Sequence, residues 1–131
     1  MGSLDDLKIL DFSTLLPGPY ATLMLADMGA EVLKISSASR PDIVLDYPPF
    51  IGDTGVSASQ AWLGRNKKTM FLNLKTGEGK AVVKELVKEY DIVLEQFRPG
   101  VMEKLGLGYQ DLKAVNPKLI YCSLTGYGQT G

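Results

Sequence analysis

The sequence contains no histidine. That excludes Ser-His-Asp and Cys-His catalytic devices from these residues. Cysteine occurs once, at Cys122, so no disulfide closes within the chain and a reducing compartment fits. One thiol and no imidazole leave no zinc ligand set, and no metal is expected. Neither sign of charge dominates: 14 basic against 15 acidic residues leave a net −1. Such balance gives no electrostatic case for nucleic acid or a membrane surface. No apolar run reaches the roughly 18 residues of a membrane span. The first eight residues are polar and acidic, unlike a signal peptide, and a cytoplasmic location is expected. The turn after the first strand, LLPGP, is not G-x-G-x-x-G, and G-x-x-x-x-G-K-[ST] occurs nowhere, which argues against a standard dinucleotide site and removes the ordinary P-loop. Any catalysis within the chain would rest on Asp, Glu, Lys or Tyr.

What remains describes one globular domain over residues 1–131. Apolar strands alternate with helical patterns. Residues 7–12 (LKILDF) read as a strand and 13–19 (STLLPGP) as a turn. Residues 20–28 (YATLMLADM) read as a helix, apolar almost all round and so well buried, with Gly29 at its end. Residues 31–35 (EVLKI) form a second strand. Residues 36–68, with Pro41, Pro48, Pro49, Gly52 and Gly55, read as a long irregular loop. A third strand at 69–74 (TMFLNL) leads into the clearest helix, 78–90, whose Val82, Val83, Leu86, Val87 and Tyr90 share one face. A strand at 92–95, short helices at 101–105 and 110–115, and a buried strand at 118–124 complete the pattern. Connections of these lengths make right-handed crossovers between parallel strands. Uniformly apolar strands imply that both sheet faces are covered. The expected fold is α/β: a Rossmann-like, mainly parallel sheet with helices on both faces.

Ligands of such sheets gather at the carboxyl ends of the strands. In RNKKTMFLNLK, residues 65–75, four cations bracket a strand: Arg65, Lys67, Lys68 and Lys75. They read equally as a solvated edge guarded against aggregation or as a site for a phosphorylated cofactor. In the second case the backbone of Leu72 to Lys75 would receive an adenine. In EQFRPG, residues 95–100, Arg98 can make paired hydrogen bonds to phosphate and Phe97 can stack on a flat ring. The plainer reading is a tight turn. Arg40, after the second strand, is a third candidate against the default of a surface arginine. Asp11 and Asp27 read as structural, because no partner base accompanies them. Cys122 reads as a small core residue.

In combination, LPGPYATLMLADMGAEVLKI, RNKKTMFLNLKTGEGK, EQFRPGVMEKLGLGY and NPKLIYCSLTGYGQTG resemble CoA-transferase family III. That group includes formyl-CoA transferase, carnitine CoA-transferase and α-methylacyl-CoA racemase. The resemblance covers essentially the whole chain. It implies a Rossmann-like domain that takes coenzyme A or acyl-CoA as substrate, with two subunits interlocked as a homodimer. It also implies that Leu72, Asn73, Leu74 and Lys75 meet the adenosine end. Gln96, Phe97 and Lys104, where relatives often carry Arg, are implied to contact the cofactor, with Arg98 a neighbour in the same turn. Relatives commonly carry an acidic residue and an arginine directly after the second strand. Here SSASR follows, which leaves two expectations: Arg40 makes that contact from a shifted position, or the contact is missing. Relatives place the catalytic aspartate, and in racemases a histidine and an aspartate, at positions that would lie beyond Gly131. The chain is therefore expected to be an N-terminal fragment, an incomplete Rossmann-like domain that is inactive by itself. The implied activity of the parent protein is transfer of CoA between carboxylic acids. The alternatives are racemisation of 2-methylacyl-CoA thioesters and, in another class, a non-catalytic CoA-binding module.

Overall fold

The structure, a computed structural model, describes residues 2–130; Met1 and Gly131 lie outside them. Five strands form one sheet: β1 (Lys8–Asp11), β2 (Glu31–Ser36), β3 (Lys67–Phe71), β4 (Ile92–Glu95) and β5 (Ile120–Ser123). Their order is β3-β2-β1-β4-β5, and every pairing is parallel. The chain winds outward from β1 to β3, then crosses back to β4 and β5. The strand order therefore reverses between β1 and β4, where an α/β sheet opens a crevice at its carboxyl edge.

Helices cover both faces. On one, α4 (Gly77–Val87), α5 (Val101–Lys104) and α6 (Tyr109–Val115) pack Val83, Val87, Met102 and Leu112 with Leu10, Leu33 and Val93 of the sheet. Full burial of Val83 and Val87 contributes about 1.5–3 kcal/mol each. On the other face, Ala26 of α1 (Pro17–Asp27) packs against Ile9 and Val32. Helix α1 starts inside the stretch read as a turn, because Pro17 occupies a first-turn position whose N–H needs no partner. Gly29, at φ 108°, turns the chain out of it.

Several sequence expectations change. Residues 36–68 are not one irregular loop. They carry α2 (Ile43–Asp46) and α3 (Ala58–Leu63), started by the side chains of Asp42 and Ser57, which accept the N–H groups of Val44 and Gln60. Strand β3 runs from Lys67 to Phe71, so 72–74 form a turn past the strand end rather than part of the strand. The strands are not all covered: β3 and β5 are edges, and α1 packs chiefly on β1 and β2. Ile120 is consequently 59% exposed, and Cys122 is exposed rather than a core residue. Nor is α1 buried all round: Tyr20 and Met24 face outward, as does Met28 at its end, since the side with Leu23 and Ala26 is the one that meets the sheet.

Candidate cofactor-binding site

At the switch point Gln96 joins two loops. Its Oε1 accepts the Gly18 N–H at 3.0 Å, and its Nε2 donates to the Thr14 carbonyl. The residue expected to contact a cofactor is thus spent on bracing the loop after β1. Beside it Glu95 is buried, accepting from the Phe97 N–H at 2.8 Å and from the Ser123 hydroxyl. These bonds set the backbone of the EQFRPG turn.

Two hollows flank Gln96. The first, of about 420 Å³, lies over the carboxyl ends of β1, β2 and β3. Phe12, Ile35, Leu72, Leu74 and Phe97 give it an apolar lining, while Arg40, Asn73 and Lys75 reach its rim. Among the described residues neither Arg40 nor Lys75 makes an ion pair. The segment 72–75 is held at one end by the Leu72 N–H, which donates to the Ser36 carbonyl at 2.9 Å. At its other end the Lys75 N–H donates to Asn73 Oδ1 at 3.1 Å. The second hollow, of about 610 Å³, is lined by Gln96, Phe97, Arg98 and the terminal turn from Leu124 to Thr130. Phe97 is a wall of both. Of the nine sequence candidates, six share the first hollow: Arg40, Leu72, Asn73, Leu74, Lys75 and Phe97. Gln96 and Arg98 line the second, and Lys104, on α5, lines neither.

The rest of the RNKK cluster is committed elsewhere. Arg65 Nη2 lies 2.6 Å from Asp27 Oδ2, and this hydrogen bond holds the Asp27 carboxyl below the usual range. Lys68 pairs with Glu31 at 3.4 Å. The Lys67 side chain is buried, donating to the Pro19 carbonyl at 2.7 Å and to Thr22 Oγ1 at 2.8 Å, with Asp11 Oδ2 at 3.7 Å. For these three cations the structural reading replaces the phosphate reading.

Burial pushes the Lys67 amine down to about 8, against the attraction of Asp11 and together with the repulsion of Lys34. Between that value and the ordinary 10.5, the unfolded chain holds a proton that the folded chain has released. Stability from this group therefore rises with pH across that window. Lys67→Met removes the contribution. The Tm difference between the unsubstituted protein and K67M should move in favour of the former from about pH 7.5 to about pH 9.5. A pH-independent difference refutes the assignment.

The sequence reading missed Thr14, Leu15, Ser36, Ser37, Ser39 and Asp42, all of which line the first hollow. Ser36 ends β2 and Ser37 follows it, so the strand-end rule that selected Phe97 would have selected them too.

The family model described as CoA-transferase family III matches residues 4–131. The chain is 40% identical over 130 residues to the acetyl-CoA:oxalate CoA-transferase of Acetobacter aceti, covering 99% of this chain and 33% of that protein. It is 42% identical over 129 residues to the succinyl-CoA:glutarate CoA-transferase of Homo sapiens, covering 98% of this chain and 29% of that one. A solved CAIB/BAIF family protein from Brucella suis superposes with a TM-score of 0.91 at 40% identity, over 99% of this chain and 35% of its own. The chain thus spans about a third of the length of these relatives.

Proposed function

Because the chain belongs to CoA-transferase family III, we propose that it supplies the coenzyme A platform of an enzyme that moves CoA between carboxylic acids. The observation that carries this reading is the first hollow, where an apolar floor meets two cations, Arg40 and Lys75, that make no ion pair among the described residues. A purine needs the floor, and phosphates need the cations. The Ser36, Ser37 and Ser39 positions on the same rim suit a ribose. Phe97 borders both hollows, so a carrier seated by its nucleotide in the first has its pantetheine arm led past that ring into the second, beside Arg98. Lys104 serves only a part of the ligand that leaves both hollows.

In this reading residues 2–130 bind and orient the carrier. The exchange at the thioester carbon is assigned to residues outside them. Transfer is preferred to racemisation because the relatives described above are named as transferases. The same reading makes the protein a cytoplasmic homodimer, and the uncovered Ile120 and Cys122 side of β5 is an apolar surface that suits a partner.

Calorimetric titration with CoA and with dephospho-CoA tests the site. CoA should bind about tenfold more tightly than dephospho-CoA, as one charge-assisted phosphate contact of about 1.5 kcal/mol requires. Arg40→Ala with Lys75→Ala should abolish that preference. Negligible binding of both ligands by the unsubstituted protein removes the proposal.

A further inference from the structure

Leu15 lines the first hollow with φ at 63°, a left-handed conformation that L side chains avoid. Its side chain is 43% exposed, so packing does not reward the strain. What holds it is a distant carboxylate. The Leu15 N–H lies 3.2 Å from each carboxylate oxygen of Asp42, which sits 27 residues further along the chain. Asp42 Oδ2 in turn accepts from the Lys34 amine at 2.9 Å, and the two side chains are 3% and 6% exposed. Among the described residues no other hydrogen bond joins loop 13–16 to the segment 37–42 that carries Arg40.

Two physical points separate this arrangement from an ordinary ion pair. Burying two charges costs solvation that their pairing only offsets, so stability alone is a weak reason for the pair. Strained backbone persists where the surroundings over-determine it, and such positions gather at ligand sites. Among the described residues Asp42 is also the one carboxylate lining the hollow. Lys34 cancels its charge, leaving Arg40 and Lys75 to act on an anion without local repulsion.

We propose that Asp42, held by Lys34, is a positioning residue for the coenzyme hollow: it pins Leu15 in the left-handed conformation and so sets the wall between the loop after β1 and the Arg40 segment. The proposal rests on the coenzyme reading of this hollow. It predicts that the acceptor for the Leu15 N–H, rather than the ion pair as such, is what ligand binding needs.

Two double variants of the purified protein separate these roles. Lys34→Met with Asp42→Leu replaces the pair by apolar groups of similar size, a change that buried ion pairs commonly tolerate. Its Tm should fall by no more than the few degrees that loss of the α2 cap brings, while the Leu15 amide exchanges at least about tenfold faster and CoA affinity falls at least about tenfold. Lys34→Met with Asp42→Asn restores a neutral acceptor and leaves no orphan cation. It should recover both amide protection and CoA affinity. Unchanged CoA affinity in the Met/Leu variant, or equal losses in both variants, overturns the proposal. Should the Met/Leu variant not fold, the Met/Asn variant decides alone: lost CoA binding there overturns the proposal, and retained binding with a protected Leu15 amide upholds it. Failure of the unsubstituted protein to bind CoA refutes the coenzyme reading instead. Leu15 amide exchange in the two variants then still decides whether Asp42 pins the loop.

Discussion

Asp11→Ala should lower the unfolding free energy by about 3–5 kcal/mol, the cost of leaving a buried charge without its counter-charge. The Asp11 side chain is fully buried at the end of β1. It accepts from the Ser13 N–H at 2.8 Å, from the Ser13 hydroxyl, and from Thr22 Oγ1 at 2.5 Å. Lys67 lies 3.7 Å away with a side chain 1% exposed, and at neutral pH its amine still carries the proton. Removing Asp11 strips that cation of its counter-charge and the Ser13 hydroxyl of its acceptor, and leaves the Thr22 hydroxyl with the more distant Gly18 and Pro19 carbonyls at 3.2 and 3.3 Å. A domain of this size has about 5–15 kcal/mol in total, so the variant should be only marginally folded. The double substitution Asp11→Ala with Lys67→Met removes the orphan cation and should recover most of the loss, because the two sites couple directly. Urea denaturation reads both values. A loss below about 1 kcal/mol for the single variant, or simple additivity in the double, rejects the buried-charge account.

Gly79→Ala should be the next most damaging change, and the one that links the fold to the hollow. A Cβ built on Gly79 falls 2.1 Å from the Asn73 carbonyl oxygen, a backbone atom that cannot swing aside. That carbonyl already accepts from the Thr76 N–H at 3.2 Å and the Thr76 hydroxyl at 2.9 Å, while Thr76 Oγ1 caps α4 through the Gly79 N–H at 3.1 Å. An alanine here must push the 72–75 turn off the helix start. The expected cost is about 1–3 kcal/mol of stability, with a fall in CoA affinity of about tenfold. Gly77→Ala, two residues earlier in the same helix, meets nothing within 4 Å and is the control. It should be neutral or slightly stabilising, since alanine has less conformational freedom to lose than glycine. If the two alanine variants behave alike in thermal melts and in titration, the crowding explanation is wrong.

Much of this architecture is legible in the residues themselves. LKILDF, EVLKI and IVLE are apolar runs too short for helices, and each precedes or follows a segment of helical period, which leaves a parallel sheet as the economical solution. The strand-end rule then selects Lys75 and Phe97. Pro17 misled the reading of the first turn, because a proline that breaks a helix interior is equally at home in the first helical turn. Leu119 to Leu124 misled the reading of burial. An apolar run reports what a strand would bury, whereas its exposure depends on whether a helix is present to cover it, and α1 packs over β1 and β2 instead.

The amino-acid order by itself determined the alternation of strand and helix, the parallel sheet, and which turns reach its carboxyl edge, because these follow from local period and connection length. Which cations remain free was decided only by the tertiary structure. Arg65, Lys67, Lys68 and Lys75 are neighbours in the chain and chemically alike, yet the first three meet Asp27, Asp11 and Glu31 from other elements while the fourth meets no carboxylate among the described residues. The same holds for Leu15, whose backbone is set by an aspartate 27 residues away. Electrostatic pairing depends on distances of a few ångströms between groups far apart along the chain, and only the folded sheet brings those groups within reach.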